Sequence, residues 1–143
     1  MAMVKRISGI AMFVVASCSM GLSSCARKEG PNTPFTKLVG TWKKVQFATD
    51  DNNNGQIDAW EISAVQPNIT NTIEFRKDNT GVEKTSFSPD LDFKWSVVGD
   101  VSVLLTYNAN DTLLYRLVSV TSSTLEMTTR GNISLAGYYY DRQ

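Results

Sequence analysis

The sequence has no histidine, and its two cysteines, Cys18 and Cys25, both lie near the N-terminus. Without His, and with no Cys beyond residue 25, Ser-His and Cys-His nucleophilic systems are excluded. A zinc site would have to be all-carboxylate, a set that zinc seldom uses. No disulfide is expected in the body of the chain. Charge of one sign is missing too: 14 Lys and Arg balance 14 Asp and Glu, with no basic stripe. Nucleic acid is therefore not an expected partner. The longest uncharged apolar stretch, Ile7 to Leu22, is short for a bilayer span.

That stretch follows Lys5 and Arg6 and ends in Leu22-Ser23-Ser24-Cys25. A basic start, an apolar middle and a small-residue exit form the layout of a secretory signal. The last four residues resemble the lipobox of bacterial lipoproteins. That resemblance implies cleavage before Cys25, a diacylglyceryl cysteine and an acylated, palmitate-type amine. An ordinary secreted signal that happens to contain a cysteine is the alternative. On the lipoprotein reading, residues 1–24 are signal peptide, 25–36 a lipidated tether and 37–143 the folded domain. The tether, "ARKEGPNTPF" after Cys25, is polar and rich in breakers. Membrane contact through acylated Cys25 then places the chain in the bacterial cell envelope, on the periplasmic or surface leaflet of the outer membrane. Each buried methylene contributes about 0.8 kcal/mol to such anchoring.

From Leu38 onward apolar residues alternate with period two, and turn signals recur about every ten residues. Strands are predicted over 39–48, 72–77, 82–88, 92–98, 101–107, 112–120, 124–130 and 133–140. Gly99-Asp100 predicts a primed hairpin turn. Eight short sequential strands with tight turns predict an all-β fold, an eight-stranded up-and-down antiparallel barrel, with a short helix after the first strand. Such a barrel is wide enough to be filled by side chains or to hold one small ligand, and the pattern leaves both open.

The connection after the first strand, Asp50 to Glu61, reads "DDNNNGQIDAWE" and matches the calcium-loop template D-x-[DN]-x-[DN]-G-x5-E. Asp50, Asn52 and Asn54 would supply side-chain oxygens, Gln56 its carbonyl, Asp58 a direct or water-bridged oxygen and Glu61 a bidentate carboxylate. So few charges predict weak calcium binding, on the order of 10⁻⁴ to 10⁻³ M. The alternative is a solvated connector in which Asp58 and Glu61 open a short helix, "DAWEISAVQ".

Gly40-Thr41-Trp42 resembles the Gly-X-Trp signature of lipocalins. The wider pattern "LVGTWKKV", the acidic loop, "NTIEFRKDNTG" and "LLYRLVSVTSSTLEMTT" resembles the short lipocalin-like lipoproteins of Bacteroidota. The resemblance implies that Gly40 and Trp42 are structural, with the tryptophan plugging the closed end of the barrel. It also implies an arginine packed over that tryptophan, with Arg130 and Arg142 both placed for it. One functional reading is a non-enzymatic binding module that holds a small apolar ligand in the barrel, lined by Trp95, Val103, Leu105, Tyr115, Leu117, Leu125 and Met127. The competing reading is a monomeric interaction protein with a filled barrel, showing its loops to an envelope protein or glycan. Asp90 with Asp92, and Asp111 with Asp141, are read as turn-capping acids and not as a catalytic pair. Tyr138 to Tyr140 are read as alternating between core and solvent.

Overall fold

A computed structural model describes residues 32–108, 111–131 and 134–143. The leader, Cys25 and the tether up to residue 31 lie outside the described residues, as does the start of the predicted last strand at Ile133. The elements are α1 (Pro34–Leu38), β1 (Gly40–Thr49), a 3₁₀ turn (Ala59–Glu61), β2 (Ile62–Ala64), β3 (Asn71–Phe75), β4 (Thr80–Thr85), β5 (Ser88–Val98), β6 (Ser102–Asn108), β7 (Asp111–Val120), β8 (Thr124–Arg130) and β9 (Leu135–Arg142).

All pairings are antiparallel and run in chain order from β3 to β9. β1 then closes the sheet by pairing with β9 from Trp42 to Thr49. Its other edge is shared: β3 takes Gly40 to Lys43 and β2 takes Gln46 to Ala48. The strands thus fill eight positions of a closed up-and-down barrel, the predicted architecture, with short β2 paired to β1 alone. Val45 is the extra residue of a bulge between Lys44 and Gln46, and its carbonyl accepts from the Val65 N–H at 2.9 Å. Gly99 and Asp100 both take positive φ, 61° and 60°, as a primed turn requires.

Three local expectations change. The predicted helix "DAWEISAVQ" is a single 3₁₀ turn followed by a strand. β-branched Ile62 favours extended backbone, Ile62 to Ala64 find ladder partners on β1, and Pro67 would interrupt any helix that continued. Conversely, a helix forms where the tether was read, beginning at Pro34. Thr33 caps it, accepting from the Thr36 N–H at 3.3 Å, and Pro34 pre-sets the first turn. β5 begins at Ser88 and includes Pro89, which lies at the frayed end of its ladder with β4, where an N–H is dispensable.

The lower half of the barrel, the end beneath α1, is packed solid. Leu38, Trp42, Phe75, Val103, Leu105, Leu125 and Met127 are fully buried there. Phe35 of α1 stacks on Trp95 with ring centres 4.6 Å apart, and Phe75 meets the same indole edge-on at 5.2 Å.

Candidate functional site

Three places concentrate chemistry: the closed end, the Asp50–Glu61 loop and the open mouth. At the closed end the Trp42 indole N–H donates to the Leu38 carbonyl at 2.7 Å. The Arg142 guanidinium covers the same ring at 4.5 Å and donates to the carbonyls of Lys37 (2.6 Å) and Val39 (3.2 Å). Of the two arginines considered, Arg142 is therefore the one that covers the tryptophan. Gly40 adopts φ 141°, and a Cβ there would come within 2.8 Å of the Arg142 guanidinium. Gly40 and Trp42 act as one structural unit with Arg142. Arg130 lies elsewhere, near Gly55 of the loop.

In the loop the six anticipated calcium ligands fall on one closed turn. Asp50 and Glu61 are its two buried carboxylates. Asp50 accepts the N–H groups of Asn54 (3.0 Å) and Gly55 (2.8 Å). Glu61 accepts those of Asp51 (2.8 Å), Asn52 (3.3 Å) and Asp58 (2.8 Å), the last as part of a capping box. The side chains of Asn52 and Asn54 both reach Asp58 Oδ2, at 2.9 and 3.0 Å. Gln56 is held by its backbone N–H, which donates to the Asn54 side chain. Asn53 and Gly55 take positive φ to make the turn. Among the described residues no three His, Cys, Asp or Glu side chains cluster as a metal site. The loop is closed by hydrogen bonds of its own.

The mouth holds a group that sequence reasoning missed. Lys44 on β1 pairs in register with buried Tyr140, and Glu83 on β4 with buried Ile73, so both project into the barrel. They meet inside it over β3, which both strands flank, Lys44 Nζ to Glu83 Oε1 at 4.0 Å. Tyr107 donates to the other Glu83 oxygen at 2.9 Å. The ammonium also lies over the rings of Tyr138 (4.7 Å) and Tyr140 (5.7 Å), and Tyr138 meets Tyr115 edge-on at 5.8 Å. Burial pulls the Lys44 pKa below the ordinary lysine value, with Glu83 pulling partly back. Burial drives Tyr107, Tyr115, Tyr138 and Tyr140 upward, and the Glu83 charge adds to each shift. These hydroxyls stay protonated at neutral pH. A semi-buried ion pair of this kind is weak support for stability, since desolvation offsets its attraction. Clusters of perturbed groups at a cavity are more characteristic of binding sites.

Above the cluster opens a cavity of about 510 Å³ between β1, β2, the 65–69 connection and the β4 end. Lys44 and Tyr138 form its floor; Phe47, Val65, Ile69 and Phe87 form apolar walls. The size is that of pockets which hold small ligands, about 300–1,000 Å³. The seven residues anticipated as ligand lining lie deeper. Trp95, Val103, Leu105, Leu125 and Met127 are buried in the packed lower core, with Tyr115 and Leu117 against it. They fill the barrel, and none borders this cavity. A second cleft of about 610 Å³ lies over β4–β6 with exposed Asp92 and Lys94 at its rim.

The acids set aside in the sequence are dispersed. Asp90 pairs with Lys84 at 3.1 Å, and Asp111 and Asp141 lie at opposite ends of the barrel. Tyr138 and Tyr140 project inward, with Tyr139 on the other face.

No protein-family model matches the sequence, and no curated protein sequence matches it. Among solved structures the chain is similar to bovine odorant-binding protein in complex with a selenium-containing odorant. The TM-score is 0.46 at 12% identity, over 82% of this chain and 78% of that one. It is similar also to a deswapped triple mutant of bovine odorant-binding protein, with TM-score 0.44 and 12% identity over 75% and 74%.

Proposed function

We propose that this protein is a non-enzymatic binding module, anchored in the bacterial cell envelope, that holds a small, largely apolar ligand in the mouth of its barrel. One observation carries the reading: the barrel is plugged at one end by α1, Trp42 and Arg142 and open at the other to a cavity with apolar walls. A cup of this shape buries a ligand without exposing the core. Native mass spectrometry of protein isolated from its host tests this. A bound mass of a few hundred daltons, released by organic solvent, is expected; a bare chain in repeated preparations would favour the filled-barrel interaction protein.

Anchoring rests on the lipobox-like Leu22–Cys25. Cys25→Ser is expected to abolish incorporation of labelled palmitate and to move the protein from the membrane to the soluble fraction. Unchanged labelling would remove the anchor.

For the Asp50–Glu61 loop we propose weak calcium binding. The convergence of Asn52, Asn54 and Asp58 supports it. So does spare acceptor capacity: Asp50 accepts two hydrogen bonds and Glu61 three, of about four sites on each carboxylate. At an affinity of 10⁻⁴ to 10⁻³ M, calcium at about 5 mM stabilises by roughly 1–2 kcal/mol. Calorimetry should show the melting temperature rising by several degrees in wild type and not in Glu61→Gln. Equal insensitivity in both would retire the ion.

A further inference from the structure

The floor of the mouth cavity is rich in hydrogen-bond donors that the protein itself leaves unused. Lys44 has three N–H donors, yet its nearest carboxylate oxygen is 4.0 Å away, beyond hydrogen-bond range. Among the described residues Nζ makes no hydrogen bond; its other neighbours are the faces of Tyr138 and Tyr140. The hydroxyls of Tyr115, Tyr138 and Tyr140 likewise donate to no acceptor among the described residues, whereas Tyr107 is committed to Glu83. Among the described residues no buried side-chain polar atom is left without a partner, and of these four donor groups Lys44 and Tyr138 border the mouth cavity. The Lys44 ammonium and the Tyr138 side chain line the bottom of a cavity with walls of Phe47, Val65, Ile69 and Phe87, and Tyr115 and Tyr140 lie beneath them, Tyr115 edge-on to Tyr138 and Tyr140 under the ammonium.

Such a floor is complementary to a group that only accepts hydrogen bonds and carries negative charge. Glu83 sets the limit on that charge. Tyr107 occupies one of its oxygens, and the other stays 4.0 Å from Lys44. A single negative charge on the ligand can share the ammonium, but a second would face the Glu83 carboxylate across a partly desolvated gap. The apolar walls then require a hydrocarbon portion leading outward past Ile69 and Phe87.

We infer that the cavity takes an amphipathic monoanion, with a carboxylate-type head on the Lys44 ammonium and the Tyr138 hydroxyl, and its apolar tail toward the mouth. This inference rests on the binding reading above and adds the chemical class of the ligand. Lys44 acts as the specificity-determining residue.

Competition at pH 7.5 between N-phenyl-1-naphthylamine and three twelve-carbon probes separates the two. The full-length chain carrying Cys25→Ser is used, so that no acyl chain competes for the dye. Dodecanoic acid should displace the dye at least tenfold more strongly than dodecanol or dodecylamine. Lys44→Met should bring acid and alcohol within about threefold of each other, and Lys44→Arg should restore the preference. If Lys44→Met does not fold, the acid-to-alcohol ratio in the wild-type barrel decides alone. Equal displacement by acid and alcohol, or stronger displacement by the amine, overturns the head-group inference while leaving a ligand-binding barrel. Failure of the dye and of all three probes to bind overturns the binding reading itself.

Discussion

Trp42→Ala is expected to lower stability by about 4–5 kcal/mol, at the upper end of the range for removing a buried aromatic. The indole is fully buried, donates to Leu38 and carries Arg142 on its outer face. Truncation leaves a cavity, an unpaired carbonyl and a guanidinium without its platform. For a domain whose whole stability is on the order of 5–15 kcal/mol, that loss removes much of the folded population. Urea denaturation measures it as a fall in midpoint at unchanged slope. Trp60→Ala is the control: that side chain is 66% exposed on the 3₁₀ turn, and its removal should cost under about 0.5 kcal/mol. Equal costs for the two tryptophans would show that the closed end does not hold the barrel together.

Glu61→Ala is expected to be the second large loss, about 2–4 kcal/mol in the presence of a chelator and roughly 1–2 kcal/mol more with calcium at about 5 mM. The carboxylate is 6% exposed and receives three backbone N–H groups, from Asp51, Asn52 and Asp58. Each orphaned donor costs roughly 1–3 kcal/mol when fully buried, less in this partly solvated loop. Asp51→Ala at the exposed neighbour should be near neutral. A loss that appears only when calcium is present would mean that the ion, and not the hydrogen-bonded cap, organises the turn.

The contrast between these two sites shows what the sequence made legible. The barrel could be read because each strand repeats apolar residues at period two and stops at a turn signal. Trp95 and Val97, Val103 and Leu105, Leu125 and Met127 mark their inward faces unambiguously. The 3₁₀ turn and β2 were not legible as such. "DAWEISAVQ" carries helix-start acids, and only the β1 edge, formed by residues far away in register, decides for extended backbone. α1 was legible and went unread: Thr33-Pro34 is a helix-start signal, masked by the breakers before it.

The polar floor of the mouth was legible in part. Counting by two from Trp42 puts Lys44 inside, and counting by two from Gly81, whose place is fixed by the Phe93 ring against it, puts Glu83 inside. Charges at inward positions of two strands are the signal that would have found the site. Their meeting could not be read, because it depends on β1 and β4 both pairing with β3, which brings the two inward side chains together over that strand. For the same reason the anticipated lining was drawn too deep. Alternation identifies which residues face inward, while the bulk of Phe35, Phe75 and Trp95, stacked together in the lower half, determines where space remains.

The central claim is that the open end of this barrel is a ligand site. Fluorescence titration of N-phenyl-1-naphthylamine tests it most directly, comparing the Cys25→Ser chain with the same chain carrying Ala64→Trp. Ala64 is an exposed residue of β2 at the cavity wall, so a larger side chain there fills the mouth without disturbing the core. Saturable, one-to-one binding with a blue shift in the parent, and its loss in Ala64→Trp at unchanged melting temperature, is the predicted result. No saturable binding in the parent, or equal binding in both, would contradict the account.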